Sequence, residues 1–194
     1  LQKLRMTTIR SIRSPEIEIA HRLHNRFTDQ DTSLATIKSW YEQVPELFIG
    51  VYDNNTPIGI CIGRKRDSAH AELAGLGVIP EYRQQGIGTR LLERFEHNAK
   101  NIGIERITLG SAGGYVDQFY VDNGYTPEKI LVRVSTEQLP NDDNDVEYEI
   151  IEEKEENGTR KIYINATEVD QSYLNDIRTT FGDDEAIYIM AKHL

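Results

Sequence analysis

Residues 73–92 read LAGLGVIPEYRQQGIGTRLL, a stretch in which a predicted strand, a glycine-rich turn and the start of a helix follow one another. A helix that begins directly after such a turn leaves its first backbone N–H groups without partners in the chain, and an anion can bind them. Gly86 and Gly88 let the backbone approach oxygen atoms closely, and Arg83 adds a positive charge. The stretch therefore predicts a phosphate-binding turn.

The glycines of this stretch have alternative explanations. They could serve only a tight connection between strand and helix. A nucleotide-binding domain that uses the same turn for ATP or NAD is a second alternative, but the lysine of a Walker loop is absent and no third glycine follows at the dinucleotide-binding spacing. Gly75 and Gly77, inside the strand, indicate a bulge or the close approach of a ligand.

The segments before this stretch predict an alternation of strands and helices. The predicted elements are an edge strand at residues 7–13, a helix at 14–27 capped by Ser14 with Pro15 at its first position, a second helix capped by Asp31 or Thr32 that ends before Pro45, a hairpin of strands 46–52 and 58–66, and the strand 70–78. The segments after it predict a helix at 86–101, a strand at 105–110, a short helix at 114–123, a strand at 125–135, a linker at 136–145, a hairpin of 146–153 and 161–164 around Asn157-Gly158, a helix at 169–181 and a last strand at 186–191.

The charge of the chain excludes some functions. Its net charge is -10 and its pI is near 5.0, which opposes nonspecific binding to nucleic acid or to an anionic membrane. No apolar run is long enough to span a bilayer, and residues 1–13 lack the apolar segment of a secretory signal, so we expect a cytoplasmic protein. Cys61 is the only cysteine, so we expect no disulfide and no cysteine-based metal site. The acidic balance also fits a halophilic source.

Two motifs carry a resemblance to a known family. Val78-x-Pro80-x-Tyr82, the turn at 83–88 and the leucine pair at 91–92 together resemble the signature of the GNAT acetyltransferases. Downstream, the run FYVDNGY at 119–125 is similar to the aromatic and tyrosine pattern that closes the cofactor site in that family. The resemblance implies an α/β fold (an α+β mixed sheet) with a central, mostly antiparallel sheet whose strands splay apart, flanked by helices, here with a C-terminal β-β-α elaboration.

The resemblance further implies an N-acetyltransferase that uses acetyl-CoA as cosubstrate, without a metal. The residues that would bind the cofactor are Leu76, Val78, Arg83, Gln84, Gln85, Gly86, Ile87, Gly88 and Thr89. In this scheme the turn amides hold the CoA diphosphate, Arg83 neutralises it, and Leu76 and Val78 pair with the pantetheine arm. The backbone N–H of Val78 would also donate to the oxyanion.

The resemblance implies catalytic roles for a tyrosine and a carboxylate. Tyr120 matches the general acid, and Glu72 is the best candidate for the general base, with His70 as a weaker alternative on the same strand face. Many relatives have an asparagine seven residues before the tyrosine, but here that position is Gly113, which puts one pantetheine contact in doubt. A non-catalytic acyl-CoA sensor or partner of the same fold is the alternative to an enzyme.

The C-terminal segment is longer than a typical relative has. We expect residues 1–135 to form the acyl-CoA-binding core, 136–185 an insertion, and 186–194 the final core strand. The insertion could cap the acceptor site, form a homodimer interface, or merely enlarge the fold. The acceptor is expected to be a primary amine of a small molecule, protein or peptide, and the acidic surface favours a cationic one.

Overall fold

Five α-helices and nine β-strands form the part of the chain that the structure, a computed structural model, describes: residues 7–111, 113–135, 148–183 and 185–194. In chain order they are β1 (Thr7–Ser11), α1 (Ile17–Thr28), α2 (Leu34–Gln43), β2 (Phe48–Asp53), β3 (Thr56–Lys65), β4 (His70–Val78), α3 (Ile87–Asn101), β5 (Arg106–Ser111), α4 (Tyr115–Asp122), β6 (Thr126–Ser135), β7 (Ile150–Glu156), β8 (Thr159–Asn165), α5 (Gln171–Phe181) and β9 (Ile187–His193).

This order confirms the predicted mixed α/β fold with mostly antiparallel strands, including the C-terminal elaboration, which is β7, β8 and α5. The predicted linker at 136–145 and the start of the predicted strand at 146 lie outside the described residues. The chain divides into two compact units: residues 7–107 with 193–194, and Thr108–Lys192, so that the boundary falls within β5.

In the first unit, β1 to β4 follow one another in antiparallel pairs. Ile62 of β3 packs into the apolar cluster with α1 and α2, whereas a Cβ on the next residue, Gly63, would meet the ring of Phe95 in α3. Because successive strand residues point to opposite faces, α1 and α3 cover opposite faces of these strands. The cluster on the α1 face consists of Ile12, Ile17, Ala20, Ile37, Phe48, Ile60 and Ile62.

In the second unit, β6 pairs with β9 on one side and β8 on the other, and β8 pairs with β7. Ile130, in the middle of β6, is opposite Tyr188 of β9 and Ile164 of β8, and all three side chains are fully buried. Helix α5 contacts β6 and buries Leu174 and Ile177. These apolar contacts tie the C-terminal elaboration to β6 and β9.

The predicted caps of the first two helices are wrong. Residues Ser14–Glu16 form a 3-10 turn whose cap position is Arg13, and the carboxylate of Glu16 accepts the backbone N–H of Arg13 (2.8 Å). The cap position of α1 itself is Glu16, not Ser14. Helix α2 is capped by the hydroxyl of Ser33, which accepts the N–H of Thr36 (3.1 Å). Thr32 does not cap this helix because its backbone N–H and carbonyl are bonded to Asn25 of α1.

Candidate functional site

The glycines of β4 make room for α1. A Cβ on Gly77 would lie 2.3 Å from Cγ of Phe27, and one on Gly75 would lie 2.7 Å from Cδ2 of His24. The pairing of β3 with β4 shifts at this point and leaves Ala74 as an extra residue, the bulge that the sequence predicted. The carbonyl of Ala74 accepts a hydrogen bond from Nε2 of His24 (3.2 Å). These glycines therefore allow helix α1 to approach β4 closely.

Hydrogen bonds hold the segment that follows β4 in place. Tyr82 is only 8% exposed, and its hydroxyl donates to the carboxylate of Asp53 at the end of β2. The N–H of Ile79 donates to the carbonyl of Ile58 (2.9 Å), which extends the contact between β3 and β4 by one residue. The proline and tyrosine of the predicted motif thus build a short 3-10 turn, Pro80–Tyr82, that directs the chain into the glycine-rich turn.

The predicted phosphate-binding turn has the backbone of an anion cradle. Gln84 and Gly86 are left-handed, with φ of 58° and 71°, and α3 begins directly afterwards at Ile87. Nothing lies within 4 Å of a Cβ built on Gly86, so its positive φ, and not crowding, favours glycine there. Throughout residues 7–111 no hydrogen bond takes up the backbone N–H groups of residues 84–89. Among the residues that the structure describes, none accepts a hydrogen bond from these six amides.

Arg83 lies at the entrance of this turn. Its side chain is exposed, and its Nε donates to the carbonyl of Val78 (2.8 Å), the last residue of β4. This bond holds the guanidinium next to the end of the strand. The turn, Arg83 and Val78 are thus brought together, while Leu76 lies half-buried earlier on the same strand.

The two base candidates are on β4 and have different surroundings. One terminal nitrogen of Arg64 donates to both oxygens of Glu72 (2.9 and 3.0 Å), and Arg66 lies 3.5 Å from the same carboxylate. At His70, burial lowers the pKa of the imidazole, and the charge of Arg106 lowers it further. At neutral pH this favours the uncharged ring, which can accept a proton.

Tyr120 belongs to the second unit, on α4. Its side chain is 5% exposed and packs edge-on against Phe119 and Tyr125, with ring centroids 5.2 and 5.7 Å away. Its carbonyl accepts the N–H of Tyr125 (3.0 Å), which closes the C-terminal turn of the helix. At the same end, the ammonium of Lys192 donates to the carbonyl of Asn123 (2.9 Å). A cation there is favoured by the helix dipole.

The loop before α4 departs from the family pattern in the way the sequence indicated. Gly113 and Gly114 have φ of 92° and 62°, and the helix starts at Tyr115 without a side-chain cap. A side chain at position 113 would also approach Arg178, because its Cβ would lie 3.3 Å from a guanidinium nitrogen of that residue. Both the backbone and this neighbour disfavour an asparagine here.

Three polar residues near these sites are absent from the sequence predictions. His24 and Asp117 are fully buried, and Gln171 bonds the carboxylate of Asp117 (2.7 Å). A signal existed for the first two, since each is a polar residue on the apolar face of an amphipathic helix. Gln171 gave no signal, because it is an exposed polar residue and far from Asp117 in sequence.

Two features are absent from the described ranges, that is, from the chain without residues 1–6, 112, 136–147 and 184. Within them, no helix has both the length and the apolar character that a membrane crossing requires. The same residues contain no group of three or more His, Cys, Asp or Glu side chains arranged to hold a metal ion.

Comparison with known proteins finds one matching family model and several similar structures. A model of the acetyltransferase (GNAT) family matches residues 10–125. Among proteins of curated description, none is similar in sequence. A putative acetyltransferase from Pyrococcus horikoshii has a similar structure with TM-score 0.62 and 14% identity, over 100% of this chain and 92% of that one.

Two further solved structures are similar over nearly their whole length. A GNAT family acetyltransferase from Elizabethkingia anophelis with acetyl-CoA bound has TM-score 0.58 and 18% identity, over 97% of this chain and 98% of that one. Arabidopsis thaliana Naa50 in complex with the bisubstrate analogue CoA-Ac-MVNAL has TM-score 0.59 and 14% identity, over 97% and 99%. At identities of 14–18%, these likenesses show a shared fold and nothing more.

Proposed function

The chain belongs to the acetyltransferase (GNAT) family, whose model matches residues 10–125, and on that premise we propose that it transfers an acetyl group from acetyl-CoA to a primary amine. The observation that carries the proposal is the row of six open backbone N–H groups at residues 84–89, which begins after Arg83 and ends in the first turn of α3. Such a row suits the diphosphate of coenzyme A, because amides and a helix N-terminus both favour phosphate oxygens.

The reaction needs three groups from the protein. The amine nitrogen attacks the thioester carbonyl carbon, the oxyanion that forms accepts a hydrogen bond from the N–H of Val78, and the carbon–sulfur bond then breaks. The departing thiolate, whose conjugate acid has a pKa of about 8.5, takes a proton from the phenol of Tyr120, for which the ordinary pKa is about 10. The products are the acetamide and free coenzyme A.

The ammonium form of the substrate must lose a proton before its nitrogen can attack. This proton passes to a base on β4 through a chain of water molecules, because His70 and Glu72 lie eight and six residues before Val78 on the strand. The contacts support His70 over Glu72 in this role, because the carboxylate of Glu72 is engaged by Arg64 and Arg66 and must give up these bonds to accept a proton. An imidazole that is uncharged at neutral pH is already in the form that accepts a proton. Replacement of His70 by Gln should therefore shift the acidic limb of the pH profile of kcat/KM, whereas Glu72→Gln should leave the position of that limb unchanged.

The proposal names the acceptor only by its chemical class, a primary amine. The structural likeness to Naa50, which is solved with a bisubstrate analogue that contains a peptide, supports including peptide N-termini among the acceptors. The net charge of -10 supports including cationic amines. We therefore propose an assay that measures free thiol release from acetyl-CoA across peptides, amino acids and polyamines.

Tyr120→Phe tests the mechanism. General acid catalysis contributes about 10²–10⁴-fold, so kcat should fall by about 100-fold while KM for acetyl-CoA changes less than about twofold. Tyr115→Phe is the matched control, because this tyrosine is on the same helix and 79% exposed; its kcat should equal that of the wild type.

Two results would contradict the proposal. Unchanged kcat in Tyr120→Phe would remove the phenol from the mechanism. Protection from thermal unfolding by acetyl-CoA, without transfer to any amine of the panel, would indicate a non-catalytic acyl-CoA-binding protein instead.

A further inference from the structure

A buried carboxylate connects the two helices of the second unit. Asp117 of α4 is 0% exposed, and its two oxygens have separate donors: the hydroxyl of Ser111 at the end of β5 bonds one, and the side-chain amide of Gln171 bonds the other at 2.7 Å. A carboxylate removed from water is strongly destabilising unless such donors surround it. The two bonds therefore determine where Asp117, and the first turn of α4, can lie.

Gln171 is itself held in place, because the N-terminus of α5 is anchored to β9. Gln171 is the first residue of α5, and Asp170 before it is bonded through both backbone groups to the hydroxyl of Tyr188: the N–H donates to the hydroxyl (2.9 Å), which in turn donates to the carbonyl (2.8 Å). Tyr188 is fully buried on β9. The amide that bonds Asp117 thus extends from a fixed point.

The C-terminal end of α5 is anchored as well. The buried carboxylate of Asp183 accepts the backbone N–H of Arg133 on β6 (2.7 Å). Arg178 donates through two nitrogens to the carbonyl of Ala186 (3.1 and 2.8 Å), and its guanidinium lies against Gly113 in the loop before α4. Helix α5 therefore contacts both the first turn of α4 and the loop that leads into it.

Tyr120 is one helical turn after Asp117, so both residues lie on the same buried face of α4. The other end of the helix is held by Lys192 through the carbonyl of Asn123. Between these two attachments the axis and rotation of α4 have little freedom. A shift at Asp117 is passed directly to Tyr120, because eight residues of helix move as one rigid element.

We propose that Asp117 and Gln171 are positioning residues for Tyr120, and that the C-terminal elaboration, through α5, orders the helix that carries the general acid. This inference rests on the acetyl transfer proposed above. It assigns the elaboration a role distinct from a cap over the acceptor or a dimer interface. A misplacement of about 1 Å at a reacting group can cost about 100-fold in rate, so a contact on the far side of the helix can affect turnover.

The test removes the contact and then restores it with reversed polarity. Gln171→Ala should lower kcat about tenfold, with KM for acetyl-CoA within about twofold of the wild type. Gln171→Glu should be worse, because it places two carboxylates together. Asp117→Asn should have a smaller effect, because the new amide oxygen can still accept from Gln171 and its NH2 can donate to the hydroxyl of Ser111. The double variant Asp117→Asn with Gln171→Glu should recover most of the activity, since the new amide donates to the new carboxylate.

Gln118→Ala is the matched control. Its amide also bonds a carboxylate, that of Asp122 (2.7 Å), but both are exposed on the solvent side of α4. Kinetics should be run well below the melting temperature of every variant, so that a loss of stability alone does not change kcat. Unchanged kcat in Gln171→Ala, or a double variant no better than the worse single one, would overturn the proposal.

Hydrogen exchange of the amides at residues 118–125 gives a second readout that does not depend on activity. Exchange should accelerate at least tenfold in Gln171→Ala and stay as in the wild type in Gln118→Ala. If the wild type acetylates no amine, the proposed function fails, and exchange still decides whether Asp117 and Gln171 order α4. Equal exchange in Gln171→Ala and the wild type would overturn that part by itself.

Discussion

Replacement of Gly77 by alanine tests the packing of α1 on β4. The new Cβ would lie 2.3 Å from Cγ, 2.4 Å from Cδ2 and 2.6 Å from Cβ of Phe27, whereas ordinary contacts are 3.4–4 Å. Rotation of the Phe27 ring cannot relieve the clash between the new Cβ at position 77 and the Cβ of Phe27, so helix and strand must separate. Overpacking of this kind typically costs 1–3 kcal/mol, and we expect about 3 kcal/mol here because backbone must move.

For a domain of this size, about 3 kcal/mol corresponds to a fall in Tm of about 6–12 °C. The assay is thermal unfolding, together with urea denaturation to obtain the free energy of unfolding. Gly110→Ala is the control: a Cβ there would lie 2.8 Å from Cδ1 of Ile187 and 3.9 Å from Cδ1 of Ile189, both the ends of flexible side chains, so its cost should stay below about 1 kcal/mol.

A double-mutant cycle with Phe27→Ala separates this clash from other effects of the substitution. Removal of the ring relieves two of the three close contacts, so the variant with both changes should be more stable than the sum of the single changes predicts, by about 1 kcal/mol or more. A Gly77→Ala protein as stable as the wild type, or strictly additive free energies in the cycle, would refute the argument that Gly77 exists to admit α1.

Two further predictions concern titratable groups of the first unit. Hydrogen bonds from Arg10, and to a lesser extent from Arg13, hold the pKa of the Glu16 carboxyl well below its usual range. The ionised carboxylate therefore stabilises the fold above the unfolded pKa of about 4.3, and this stabilisation is lost as the pH falls. The difference in unfolding free energy between the wild type and Glu16→Gln should shrink between about pH 6 and pH 3, and a constant difference would contradict the prediction. Burial, and then the carboxylate of Glu96, raises the pKa of the fully buried Cys61 thiol, so a disulfide reagent should label it only at the rate of unfolding, and labelling of the native protein within seconds would exclude this burial.

Much of the fold follows from local patterns. The strand, glycine-rich turn and helix around residues 73–92 were predictable because glycine, proline and apolar spacing act over a few residues. The helix bounds at α3 and α4 agree with their terminating glycines, Gly103 and Gly124, both of positive φ. The open amides of the turn follow from the same local geometry, because a helix start leaves them unpaired whatever surrounds it.

The predictions that failed involve competition between distant groups. Thr32 was a plausible cap by its residue type, but Asn25 in the preceding helix binds its backbone, and Ser33 takes the role. Ser14 was equally plausible, but the carboxylate of Glu16 bonds the free N–H instead. Propensity alone does not rank such competitors, because each hydrogen bond depends on where a second element lies.

The glycine-rich turn at residues 83–89 could therefore be predicted from consecutive residues, since the backbone at such a helix start needs no partner to present its amides. The surroundings of the proposed catalytic groups could not. That Glu72 is engaged by Arg64, that Gly77 admits Phe27, and that Gln171 bonds Asp117 across 54 positions depend on contacts between segments far apart in the chain. Such contacts exist only once burial has brought those segments together, and only the tertiary structure decides them.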